Sequence, residues 1–263
     1  MITFFRKIRI QLMNENKISK YLLYAVSEIL LVVIGIYIAI QFNNWNEGRK
    51  DRKVEYQYFY NLKNDLNADL EGLDNMIELS KTKVSAAQDI KQNSDLMRVG
   101  SLYEFNQDLQ DLTFVNEFRP NDNTYEEMKS SGHFSTLNND ELKLKLMNLK
   151  KTYSDIAASH EHIRNDYDVF LEDLMHHIDL GKYYDLSKSD IPNLKLTYDS
   201  AYIESHKGIM ESEVRDLYKN KVFLNNIYLL EINYTFISDI FKNTKTQINE
   251  IINVLNQELN ISK

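Results

Sequence analysis

Glu28 stands inside an apolar run, KYLLYAVSEILLVVIGIYIAIQFNNWN, residues 20–46. A carboxyl in hydrocarbon can relay a proton, or it can bond to a neighbouring helix by donating its own. A relay needs a pathway and a paired base, and a single span offers neither. Asp173 and His176 stand three apart, the spacing of a fragment of a bundle di-metal site. Such a site needs a second acid–histidine pair and two further glutamates on facing helices, and no Glu-x-x-His occurs. His160 falls on an apolar seam and reads as a hydrogen-bonded core residue. The stretch NTYEEMKSSGHF, residues 123–134, gathers Tyr125, Glu126, Ser131 and His133 near a glycine turn. Surface loops carry function more often than cores do, although a plain structural connector accounts for the same residues. Phosphate loops, dinucleotide fingerprints, zinc-protease motifs and calcium loops are all missing. Without cysteine there is no thiolate metal site, no cysteine nucleophile and no disulfide. These residues give no reason to expect an enzyme, a metal or a cofactor.

The element that must carry Glu28 is a membrane span. Residues 21–42 make a helix of about 33 Å, enough for a hydrocarbon core of about 30 Å. Lys20, Phe42 and Trp45 sit at its ends, where amphipathic and basic side chains anchor at the interface. No small-residue cleavage site follows, so the segment is expected to stay as a signal anchor. Tyr21, Ala25, Glu28, Val32, Gly35 and Ala39 fall on one stripe less than about a third of the circumference wide. Small residues let helices approach closely. The stripe therefore reads as a contact with a second copy or with another membrane protein, against the plainer reading in which Glu28 snorkels to the headgroups. Residues 1–20 read as a basic amphipathic segment on the lipid surface, and residues 43–53 as an interfacial basic linker. Five bases precede the span and four follow it, nearly a tie for orientation. Lys20 at the span's edge tilts the expectation toward a cytoplasmic N-terminus, with the body outside the cytoplasm.

FFRKIR at 4–9, ENKISKYLLYA at 15–25 and EILLVVIGIYIAIQFNNWNE at 28–47 together resemble the N-terminal signature of an uncharacterised family of short bacterial membrane proteins, a domain of unknown function. The resemblance departs at Ser27, where that family commonly has glycine. It implies a single-pass protein of the bacterial inner membrane with a helical body, and it supplies no activity, ligand or catalytic residue. NTYEEMKSSGHF also resembles a recurring feature of that family's body.

The remainder, residues 54–263, reads as a soluble helical bundle. Seven glycines and two prolines leave little material for the turns of a β fold. Phe59, Leu62, Leu66, Leu70, Leu73 and Ile77 recur at helical spacing, and Gly72 among them suggests a bend or a close approach. A short helix is expected over residues 101–115, and one or two turns around 124–129. Leu142, Leu146, Leu149, Tyr153, Ile156, His160, Ile163, Tyr167, Phe170 and Leu174 form a sustained heptad capped by Asn139, with Gly181 placed to stop it. After Pro192, a short helix is expected over 198–205 and a last long one over 209–260. The fold class is all-α: one transmembrane helix, then an elongated antiparallel bundle with coiled-coil character. Residues 1–53 carry nine bases against four acids and the rest 22 against 35. A basic foot with an acidic body suits a membrane lipid partner and argues against nucleic acid. The function expected is an envelope interaction or scaffold module; a ligand-sensing bundle that signals through a partner membrane protein is the alternative.

Overall fold

A computed structural model of the chain describes residues 18–93, 102–179 and 200–260. All regular structure among the described residues is helical. The first helix, α1, runs unbroken over Ile18–Gln92. The chain divides into two compact units, Met1–Tyr58 and Phe59–Lys263.

In the first unit, an 18-residue window of α1 reaches a mean hydropathy of 2.2 with none of it buried. The helix is thus long and apolar enough to cross a membrane. Residues 43–53, expected as a linker, are helical, and Gly48 causes no break. The basic segment expected over residues 1–20 lies almost wholly outside the described residues.

The second unit is built on three heptad seams. On α1, Phe59, Leu62, Leu66, Asp69, Leu73, Met76, Ser80, Lys83, Ala87 and Ile90 alternate steps of three and four, and all are buried. The helix α4 (Asp140–His177) carries the expected seam from Leu142 to Leu174, buried throughout except for half-buried Tyr167. On α6 (Lys221–Asn260) the seam is Phe223, Ile227, Leu230, Tyr234, Ile237, Phe241, Thr244, Ile248, Ile251 and Leu255, all buried. Sustained 3–4 alternation lets seams interlock side chain into gap. Lys91 pairs with Glu231 and Lys245 with Asp74, so α6 runs antiparallel to α1. Lys145–Glu250 at 2.8 Å and Asn233 donating to Asp166 at 2.8 Å make α6 antiparallel to α4 as well. It follows that α1 and α4 point the same way, and the chain must travel back between them. It does so through α2 (Leu102–Leu112), an irregular strap over residues 113–122, and α3 (Asn123–Ser130).

Several boundaries differ from expectation for identifiable reasons. The last stretch is two helices, not one over 209–260: α5 (Ser200–Lys219) absorbs the short helix expected at 198–205, and α6 begins after Asn220. Asn220 makes the break: its Oδ1 accepts the Val222 N–H at 2.9 Å, capping α6, while its Nδ2 donates to Asp173 at 3.2 Å. The helix expected to reach residue 115 stops at Leu112, where Lys83 takes the carbonyls of Asp111 and Phe114, each at 2.5 Å. Asn139 caps α4 as expected, accepting from Leu142 N–H at 2.8 Å. That helix ends at His177, with Ile178 extended; Gly181 and Pro192 lie outside the described residues. At Gly72 the finding is a close approach: a β-carbon there would lie 3.2 Å from Cε2 of the Phe118 ring. Gly132 leaves the α3 turn at φ +84°, a conformation that suits glycine.

Candidate functional site

An irregular segment inside a bundle exposes a physical problem, because each of its backbone N–H and C=O groups needs a partner. The strap solves it with the polar residues of the heptad seams. From the α2 end, the Lys83 ammonium donates to Asp111 O and Phe114 O, and lies 5.2 Å from the Tyr234 ring centroid. Tyr167 O–H donates to Thr113 O. His160 Nε2 accepts the Phe118 N–H at 3.1 Å. Asp69 Oδ1 accepts both the Asn121 N–H at 2.7 Å and its side-chain amide at 3.0 Å, while Oδ2 takes the Tyr153 O–H at 2.5 Å. One turn earlier on α1, Asp65 accepts the Thr124 N–H at 3.2 Å. That bond supplies the cap of α3 from another helix, since the local cap residue Asp122 makes no capping bond of its own. The Phe118 ring fills the centre, within 6.0 Å of Tyr153 and 6.2 Å of Phe241.

Burial sets the electrostatics of this network. It pushes the Lys83 ammonium down to about 8, against the pull of Asp111. It raises the Asp69 carboxyl, opposed by the bonds from Tyr153 and Asn121. Burial and the adjacent Asp69 carry the Tyr153 phenol far above its usual value, so its proton stays in place as a donor.

Burial also lowers His160 below its usual value. Only the unprotonated Nε2 can accept from Phe118, so protonation replaces a bond with two opposed donors. The unfolded chain takes up this proton near pH 6.5 and the folded chain only below that. Stability from this contact is therefore complete above about pH 6.5 and is lost as pH falls toward the folded value. The full chain is expected to lose more thermal stability between pH 7 and pH 5 than His160→Gln, whose amide oxygen accepts without titrating. Parallel pH dependence of the two melting curves would show that the contact does not titrate.

The loop residues singled out by sequence divide into two groups. Tyr125 and Glu126 converge on Lys150 of α4: Glu126 pairs with it at 2.9 Å, the Tyr125 ring lies 5.6 Å from its nitrogen, and Asp122 pairs with it as well. Ser131 and His133 form a local turn. Ser131 O–H donates to Glu127 O at 2.7 Å, leaving its oxygen to accept from His133 Nδ1 at 2.9 Å. Phe134 bridges the groups, edge-on to Tyr125 at 5.1 Å. The cleft bounded by Asp65, Asp69, Asn121, Tyr125, Lys150 and Tyr153 holds about 20 Å³, room for one water-sized group.

Asp173 does not pair with His176, which is exposed; it lies 3.8 Å from His177 and accepts from Asn220. Among the described residues no three His, Asp or Glu side chains gather as a metal site. On the span, Glu28, Val32, Gly35 and Ala39 are exposed and Ala25 is half-buried on the continuous helix that also holds Lys20 and Tyr21. Phe42 and Trp45 pack ring against ring at 5.9 Å.

These features define a class: a helix apolar enough to span a membrane, and a three-seam helical body closed by a strap. Residues 28–187 match the Family of unknown function (DUF6090), and the chain belongs to that family. The match starts at Glu28 and takes in the strap and α4; residues 4–27 of the N-terminal signature lie outside it. The chain matches no curated protein and no solved structure.

Proposed function

We propose that this protein is a membrane-anchored interaction module of the bacterial envelope, with no catalytic activity of its own. The apolar part of α1 crosses the inner membrane with its N-terminus in the cytoplasm, and the helical body stands outside. Recognition runs through the stripe of Ala25, Glu28, Val32, Gly35 and Ala39, to a second copy or to another membrane protein. One observation carries this reading: an exposed apolar helix whose lone carboxylate shares a face with its small residues. The polar network of the body supports a mechanical role, since its groups bind one another around a cleft of about 20 Å³.

The chain has no cysteine, so single introduced cysteines report contacts cleanly. Val32→Cys is expected to cross-link in membranes, and Ile34→Cys, on the opposite face, is not. Glu28→Leu or Gly35→Leu should weaken self-association, or co-purification of a specific membrane partner, by about 3- to 10-fold. If both substitutions leave every association unchanged, the stripe is not the contact.

A further inference from the structure

The bases just beyond the span raise a separate question. In an α-helix the side chains slant toward the N-terminus. Bases that follow a membrane span therefore lean back toward it. Arg49 does this: its guanidinium carbon lies 5.7 Å from the centroid of the Trp45 ring, four residues nearer the apolar run. Trp45 in turn packs against Phe42, the last aromatic of that run. Along the axis Arg49 is about 10 Å past Phe42, beyond a headgroup layer of about 5–8 Å, and the slant returns its charge to that layer.

Charge is sorted around this part of α1. Trp45, Arg49 and Lys53 follow one another by four residues, a stripe that drifts about 40° per step, while Lys50 lies at its edge, about 60° from Lys53 and about 60° from Glu47. Glu47 and Asp51 lie about 160–200° away from Arg49. Glu47 accepts from Asn43 at 3.0 Å on that far side. Arg52 is occupied by Glu55 at 2.5 Å and by the Tyr56 ring at 5.0 Å. Arg49, Lys50 and Lys53 are exposed, and among the described residues no carboxylate pairs with them.

We propose that the face made by Trp45, Arg49 and Lys53, with Lys50 at its edge, binds anionic phospholipid headgroups where the span leaves the bilayer. The inference rests on the reading of α1 as a membrane span and adds a lipid selectivity to it. A planar guanidinium held on an indole suits a phosphodiester, which it can grip through two N–H donors. The two lysines add attraction that reaches about 8–10 Å. Neutral zwitterionic headgroups give these charges no net counter-charge.

Trp45 is the only tryptophan in the chain, so its fluorescence reports this face alone. The full chain is reconstituted into phosphatidylcholine vesicles that contain a small, equal fraction of either phosphatidylglycerol or phosphatidylcholine with brominated acyl chains. Brominated phosphatidylglycerol is expected to compete for the site about 5-fold better, and thus to quench Trp45 more strongly. Arg49→Gln, Lys50→Gln and Lys53→Gln combined should bring the ratio to about 1 with the helical circular-dichroism signal unchanged. Equal quenching by both lipids in the wild type overturns the headgroup selectivity and leaves the span intact. No quenching by either lipid overturns the span itself, and this proposal with it. A preference that survives the triple substitution overturns the assignment to these bases.

Discussion

Asp69→Ala is expected to lower the midpoint of thermal unfolding of the full chain by about 10 °C. The residue is 1 % exposed and accepts three hydrogen bonds, from Asn121 N–H, the Asn121 amide and Tyr153 O–H. Removing one partner of a buried charged network costs about 3–5 kcal/mol, here because the Tyr153 O–H stays buried without its acceptor and the strap loses its tie at Asn121. For a body of this size each kcal/mol moves the midpoint by about 2–4 °C. Asp69→Asn keeps an acceptor oxygen for the strap and should lose about half as much. Tyr153→Phe removes a single donor and should cost about 1–2 kcal/mol. Melting curves by circular dichroism read all three, and proteolysis near Arg119, exposed on the strap, should speed up most in Asp69→Ala. A shift of less than about 2 °C in Asp69→Ala would mean that the strap does not depend on this anchor.

Phe118→Ala is expected to be equally severe, at about 3–5 kcal/mol, for a different reason. Its ring is the apolar filling between Tyr153, Phe241 and the bare backbone of Gly72. Cutting it back leaves a void that these neighbours cannot close without moving. The geometry also fixes how a second site responds. In the wild type, Gly72→Ala brings a β-carbon to 3.2 Å from the Phe118 ring and forces it to shift. In Phe118→Ala the same space is empty, and alanine should then stabilise by up to about 1 kcal/mol through its better helix propensity. The sign of Gly72→Ala is thus expected to reverse between the two backgrounds. Identical effects in both would show that the ring does not rest on Gly72.

The long helices were legible because apolar side chains advertise a seam. On α4 the alternation from Leu142 to Leu174 is nearly all hydrophobic, and its Asn139 cap was readable too. On α1 the same rhythm passes through Asp69, Ser80 and Lys83, and following hydrophobicity alone leads off it to half-buried Leu70 and Val84. Continuing the three–four count from Phe59 reaches all three polar residues, so the signal was present in spacing but not in composition. Thr244 hides in the α6 seam in the same way. The break at Asn220 had no such trace, since asparagine is a mild helix interrupter and its work there depends on Asp173, 47 residues away. The strap's anchor points were the least readable feature. Apart from the Asn121 side-chain amide they are backbone groups, which every residue carries alike, and only their partners' burial reveals them.

That last point sets what the strap can display. Its ties to Lys83, Tyr167, His160 and Asp69 grip carbonyl and amide groups, so they are indifferent to which side chains the strap presents outward. Phe114, Asn116 and Arg119 face solvent on a rail whose path is held from beneath. The lettering on such a rail can be rewritten while the rail stays put. Its length cannot change so freely: one residue added or removed slides the later anchor points by about 3.4 Å, and the register between strap and seam is lost.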